Sequence, residues 1–183
     1  MTKLILGFTG QMAAGKGAAA GYLAEKYDAS TYTFSTMLRD ALERFYLDIS
    51  RDNLIKLSEF IRSTFGEDTL ARTMSLDVEL GEHDLIVIEG IRRTADVAYL
   101  REMPGFVLVR IEAPMDIRYA RLRKRAEKED DMTKSFEAFK RDHERSTEVS
   151  IAQIAGEATE IIDNSGSFDA LHQALDGLIS KYR

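Results

Sequence analysis

Gly10, Gly15 and Lys16 are spaced as G-x-x-x-x-G-K within Gly10-Gln11-Met12-Ala13-Ala14-Gly15-Lys16-Gly17, the stretch of the chain best suited to chemistry. An apolar run, Leu4-Ile5-Leu6-Gly7-Phe8, precedes it, and good helix formers over 18–26 follow it. In a strand, glycine-rich turn and helix, successive backbone N–H groups point inward and wrap a phosphate. The start of the helix adds partial positive charge and Lys16 a full one. Gly10, Ala13, Ala14, Gly15, Lys16, Gly17 and Ala18 are therefore candidate contacts to the phosphates of a nucleoside triphosphate, with ATP the expected donor. The bland alternative is a Gly/Ala-rich turn with Lys16 in water.

Other residues could complete a phosphoryl-transfer site, which must neutralise charge on phosphate oxygens and hold donor and acceptor in line. Glu89 closes the apolar run Leu85-Ile86-Val87-Ile88, a position from which a carboxylate can reach Mg²⁺, directly or through water. Its plainer role is to cap a turn. Gly17 and Ala18 stand where a metal-binding hydroxyl is usual, so waters and phosphates are expected to hold more of the ion. Arginine suits a planar, bidentate grip on phosphate. Arg39, beside Ser35, follows the second strand, and Arg92 and Arg93 follow the third. Which of Arg92 and Arg93 points inward is open. Arg62 and Arg72 flank Phe65-Gly66-Glu67-Asp68 and are further acceptor candidates.

Arg118, Arg121, Arg123, Lys124 and Arg125 form a basic stretch before the acidic run 127–131. On a helix Arg121 and Arg125 share a face. They are read either as a solvated face laced with ion pairs or as a lid closing over the transferring phosphoryl group. The lid is preferred for Arg121 and Arg125, while Arg118, Arg141 and Arg145 stay open; 127–131 would be a polar hinge or tip.

Elements that could position these residues alternate along the chain. Strands are expected over 3–9, 30–34, 85–89, 106–111 and 160–163. Helices are expected over 15–26, 36–46, 52–80 (broken near Gly66), 115–128, 134–156 and 168–181. Leu85 to Ile88 is continuously apolar, as in a strand covered on both faces, and Phe168, Leu171, Leu175 and Leu178 give the last helix one apolar face. The pattern predicts a doubly wound parallel sheet of about five strands, with ligands at the carboxyl ends of the strands.

Composition narrows the classes. With 183 residues, 44% hydrophobic, the chain suits one α/β domain with a real core. A net charge of −6 argues against a nucleic-acid surface. Absence of cysteine excludes disulfides and thiolate metal sites, and His83, His143 and His172 follow no ligand spacing. No apolar run approaches the about 18 residues of a membrane span, and Met1-Thr2-Lys3 leads into a short strand, so the expected setting is the cytoplasm without a membrane partner.

The Gly15-Lys16-Gly17 ending resembles that of adenylate kinases and related nucleoside monophosphate kinases. Thr36-Met37-Leu38-Arg39 looks like the segment of that family ending in M-L-R, and Glu89-Gly90-Ile91-Arg92-Arg93-Thr94 is similar to its D-G-F-P-R-T segment. Pro114 to Arg121, then Arg125, matches the approach to its arginine-bearing lid. Met12 and Ala13 depart from the family's Pro-Gly, and residues about 45–80 do not resemble it. Ile162-Asp163-Asn164-Ser165-Gly166-Ser167 is similar instead to dephospho-CoA kinase-like chains.

The resemblance implies one P-loop kinase domain over 1–183: a core of 1–38, 81–114 and 146–183, a helical acceptor-binding insert of about 39–80, and a short helical lid of about 115–145. It implies Mg²⁺ with ATP as donor, Lys16, Glu89, Arg121 and Arg125 as catalytic residues, and Asn164 and Gly166 in a loop behind the adenine ring. It implies Arg39 on the acceptor phosphate. A hydroxyl acceptor calls for a carboxylate to take its proton. Dephospho-CoA kinases carry an aspartate just after the second strand, where this chain reads Thr33-Phe34-Ser35-Thr36. The expected reaction is therefore transfer from ATP to a nucleoside or deoxynucleoside monophosphate. Transfer to a hydroxyl, with Glu89 as base, and an ATPase switch acting on a macromolecular partner are the alternatives. A phosphate-binding loop without catalysis is a further one.

Overall fold

The computed structural model describes residues 3–125, 135–142 and 146–183. The acidic tip 127–131, His143 and Arg145 lie outside the described residues, as does the side chain of Arg125. The chain runs β1 (Leu4–Thr9), α1 (Lys16–Tyr27), β2 (Ser30–Thr33), α2 (Phe34–Arg44), α3 (Arg51–Phe65), α4 (Thr69–Leu80) and β3 (Leu85–Glu89). Two short 3₁₀ turns, Thr94–Val97 and Leu100–Glu102, lead to β4 (Phe106–Glu112), α5 (Met115–Arg125), α6 (Phe136–Asp142), α7 (Ser146–Ala155), β5 (Glu160–Asp163) and α8 (Phe168–Tyr182).

The five strands pair in parallel in the order β2-β3-β1-β4-β5. Alternation along each strand divides the side chains between two cores. Leu4, Leu6 and Phe8 of β1 face α1 and α8, packing with Leu23, Leu171, Leu175 and Leu178. Ile5 faces the other way, with Ile86 and Ile88 of β3 against Phe34, Leu38, Leu70, Met74, Val78 and Ile154. Covering on both faces is why β3 is apolar throughout until Glu89. The strand order sets β3 and β4 on either side of β1, and that places the residues after each strand around one loop.

Expected and observed elements differ in informative places. The second strand stops at Thr33, because Phe34 turns inward as the first residue of α2 and is buried. The predicted break near Gly66 separates α3 from α4, with Gly66 at φ 120. The expected helix over 134–156 is described as two segments, α6 and α7. Neither 3₁₀ turn was anticipated, since four- and three-residue turns carry no periodicity.

α1 and α8 are joined by Asp176, which accepts hydrogen bonds from the Tyr22 and Tyr27 hydroxyls and from Lys26 Nζ, each at 2.8 Å. Together these donors hold the carboxyl at about 2, below its ordinary range. His172 stacks on Tyr22 with ring centroids 3.8 Å apart, so it is a packing residue. Gly21 lies on the exposed face of α1 with open space where a β-carbon would go. Gly21→Ala is expected to stabilise the fold by about 0.5–1 kcal/mol, because alanine costs the helix less backbone entropy. Urea denaturation checks it: the midpoint should rise with an unchanged slope.

Candidate active site

The loop between β1 and α1 is shaped by close approaches that side chains would forbid. Gly10 has φ 137, and a β-carbon there would lie 2.1 Å from the carbonyl oxygen of Ile111 on β4. Gly15 has φ 106, and a β-carbon there would lie 2.1 Å from Nδ2 of Asn164. Ala13 takes a left-handed conformation, φ 60, where the resembling family has glycine. Ala13 thus makes a left-handed turn without glycine, at a cost of about 1–2 kcal/mol.

α1 starts at Lys16, directly after Gly15, so its first N–H groups have no intrahelical acceptor. Lys16 folds back onto the loop, Nζ donating to the carbonyl oxygens of Gly10 at 2.6 Å and Gln11 at 3.0 Å. Gly17 and Ala18 are exposed at the start of the helix, and Ala14 is buried.

Glu89 ends β3 beside this loop. A β-carbon on Gly17 would lie 3.7 Å from Glu89 Oε2, so glycine leaves the carboxylate a clear approach to the helix start. Burial raises the Glu89 pKa, while the nearby Lys16 charge opposes the rise. Glu89 is thus a half-buried carboxylate near a cation, at the carboxyl end of a central strand.

The segment after β3 is fixed by two buried side chains. Thr9 Oγ1 donates to the Ile91 carbonyl at 3.2 Å, tying the segment to β1. Asp96 Oδ2 accepts the Arg92 and Arg93 backbone N–H groups, both at 3.0 Å, and its Oδ1 accepts from Arg62 Nη2 at 2.9 Å. Arg62 and Asp96 are both buried, and Arg62 Nη1 also donates to the Glu67 carbonyl at 2.6 Å. The guanidinium of Arg62, expected to grip an acceptor, is engaged in this buried ion pair, while its Nε has no hydrogen-bond partner among the described residues. Asp96 is not among the residues that motif spacing singles out, although a carboxylate three residues beyond Arg93 is an ordinary signal for capping a turn.

Arg92 and Arg93 both have exposed side chains; Arg93 Nη1 lies 3.5 Å from Glu67, and Arg92 makes no ion pair among the described residues. Arg39 is exposed on α2. Ser35 Oγ shares a hydrogen bond with Thr33 Oγ1 at 2.9 Å, and Thr33 Oγ1 another with Thr36 at 3.0 Å. Arg72 lies exposed on α4.

Of the basic helix, Arg118 is buried rather than solvated. Its Nε donates to the Ala113 carbonyl at 2.9 Å and its Nη1 to the Met12 carbonyl at 3.3 Å, with the Phe139 ring 5.7 Å away. It braces the loop from α5. Arg121 is half-buried; Nη2 lies 3.4 Å from the Gly166 carbonyl, and Nη1 is buried with no hydrogen-bond partner among the described residues. Arg123 and Arg141 are exposed. Asn164 is buried and donates from Nδ2 to the Ala14 carbonyl at 2.8 Å, while Ser167 caps α8 by accepting from Ala170 N.

Among the described residues no helix is long and apolar enough to cross a membrane. The five-stranded parallel sheet with a glycine loop entering α1 defines a P-loop fold of the kinase-like kind. The AAA domain family model matches residues 6–146. The chain is 30% identical to a UPF0200 protein of Methanosarcina barkeri over 97% of this chain and 95% of that one. It therefore belongs to the AAA domain family and to the UPF0200 proteins. A UPF0200/UPF0201 protein of Archaeoglobus fulgidus is 26% identical over 97% of this chain, which spans only 55% of that longer relative. The shikimate kinase of Bacteroides thetaiotaomicron superposes with a TM-score of 0.66 at 17% identity, covering 97% of this chain and 98% of that one, a likeness of fold.

Glu89 gives a prediction with a definite sign. Its folded-state pKa is raised, so the protonated form is favoured on folding, and stability falls as pH rises through that pKa. Glu89→Gln is expected to be more stable than the parent at pH 7 and to lose that advantage near pH 4. Thermal melts across that range check it; a less stable variant at pH 7 would contradict the burial argument.

Proposed function

We propose that the chain moves the γ-phosphoryl group of ATP directly to a nucleoside or deoxynucleoside monophosphate. The bond from the γ-phosphorus to the β,γ-bridging oxygen breaks as an acceptor phosphate oxygen forms the new one, giving ADP and a nucleoside diphosphate. One observation carries the choice of acceptor. The end of β2 offers only the hydroxyls of Thr33, Ser35 and Thr36, bonded to one another, while Arg39, Arg92 and Arg93 stand exposed on the segments after β2 and β3. A phosphate acceptor needs positioning by cations and no general base.

Each residue has a role in this reading. Lys16 leaves the Gly10 and Gln11 carbonyls to meet the donor's phosphates, beside the backbone N–H groups at the start of α1. The unpartnered Nη1 of Arg121 supplies a donor toward the nucleotide, since a buried donor left unmade costs about 1–3 kcal/mol. Arg125 keeps the partner role that the sequence suggests, and the 164–166 segment backs onto the base through the main chain at Gly166, whose carbonyl lies 3.4 Å from Arg121 Nη2.

Mg²⁺ fits the donor set. No cluster of three acidic or histidine side chains gathers among the described residues, so Glu89, through water, and the nucleotide's own phosphates would hold the ion. When bound, it neutralises charge on the phosphate oxygens.

A second reading, transfer to a hydroxyl, is favoured by the raised pKa of Glu89, which makes it a better proton acceptor. ADP formation from Mg·ATP with AMP, CMP, UMP, GMP, their deoxy forms, dephospho-CoA, shikimate and no acceptor separates the readings. Strong stimulation by one monophosphate is expected, and its loss in Lys16→Ala without loss of fold. Stimulation by a hydroxyl acceptor alone would install Glu89 as base. Slow hydrolysis that no acceptor changes would overturn transfer and favour an ATPase switch.

A further inference from the structure

The Asn164 side chain is the direct link between the segment after β5 and the loop after β1, two places 150 residues apart. Its Nδ2 donates to the Ala14 carbonyl at 2.8 Å, inside the protein, and the same nitrogen occupies the space a β-carbon on Gly15 would need. Its own backbone is held in turn, because Asn164 N donates to the Glu112 carbonyl at 2.7 Å at the end of β4. Ala14 N donates across the loop to the Gln11 carbonyl at 3.2 Å. The Ala14–Gly15 peptide is thus gripped on its carbonyl side. A peptide held by its carbonyl has its N–H direction fixed on the opposite side, and the next N–H groups, of Gly15 and Lys16, are those that would meet a phosphate.

We infer that Asn164 is a positioning residue for the donor: its neutral amide donor aims the Ala14–Gly15 peptide so that the loop's N–H groups converge on ATP phosphates. This rests on the proposed ATP site and goes beyond it. Asn164 acts through the peptide rather than by touching the nucleotide. The role demands a hydrogen-bond donor and a neutral group. An anion at this place would repel the Ala14 carbonyl and weaken the field of the helix start that attracts phosphate.

The test is Mg·ATP affinity by calorimetry between pH 5 and pH 8, on the full chain, for the parent, Asn164→Ala and Asn164→Asp. The ratio of each variant's Kd to that of the parent cancels the titration of the nucleotide itself. Asn164→Ala is expected to raise Kd about tenfold or more at every pH. Asn164→Asp matches the parent in size, and burial holds its proton on at acid pH, where the carboxyl can donate to the Ala14 carbonyl. Its ratio should therefore stay near one at pH 5 and climb about tenfold or more toward pH 8. A packing role alone would leave the ratio flat with pH. Asn164→Asp tracking the parent throughout, or Asn164→Ala binding as the parent does, overturns the inference. Should Asn164→Ala fail to fold, the Asn164→Asp profile decides alone. A parent that binds no Mg·ATP overturns the ATP site itself, a separate result read from the parent arm.

Discussion

The contact between Gly10 and the Ile111 carbonyl sets the terms for the rest of the molecule. The chain leaving β1 must turn hard against its neighbour β4, and no side chain fits at the turn: a β-carbon at Gly10 would sit 2.1 Å from that oxygen. Gly15 meets the same limit against Asn164 at the other end of the loop. Between these two points the backbone has little choice of path. Ala14 N donates across the loop to the Gln11 carbonyl, and α1 begins at once after it. Strand order does the remainder, since β3 and β4 flank β1 and deliver Glu89 and the start of α5 to opposite sides of one loop.

Around that loop the protein spends its buried polar groups on bracing. Asn164, Arg118 and Thr9 each come from a different element, and they hold Ala14, Met12 and Ile91 by their carbonyl oxygens. Asp96 and Arg62 extend the brace to the helices beyond β2. A buried ion pair of this kind contributes little net stability, because desolvation offsets most of the attraction, but losing one partner strands a charge at a cost of about 3–5 kcal/mol. The pair is better understood as fixing where Arg92 and Arg93 begin. Lys16 by contrast rests on the Gly10 and Gln11 carbonyls of the loop itself, and Arg39 and Arg92 are exposed.

Much of this was legible in the residues. β3 and β5 have the predicted bounds, because a short apolar run between turn signals leaves few alternatives, and the break at Gly66 follows from its left-handed φ. The G-x-x-x-x-G-K spacing located the loop. What sequence did not disclose were contacts between distant segments. Nothing in Arg62 distinguishes an arginine that will meet Asp96, 34 residues away, from one that will meet a ligand. Arg118, one of several cations on a helix, is buried where Phe139 and the Met12 carbonyl arrive from elsewhere. Phe34 belonged by type to the strand before it, yet the second core takes it into α2.

The central claim is that the loop from Gly10 to Ala18 receives the phosphates of a nucleotide. Amide hydrogen exchange across the whole chain, with and without Mg·ATP, tests it most directly. Protection is expected to rise first and most at residues 10–18, with Lys16 and Gly17 among the strongest. Protection that appears elsewhere while the loop stays unchanged would contradict it.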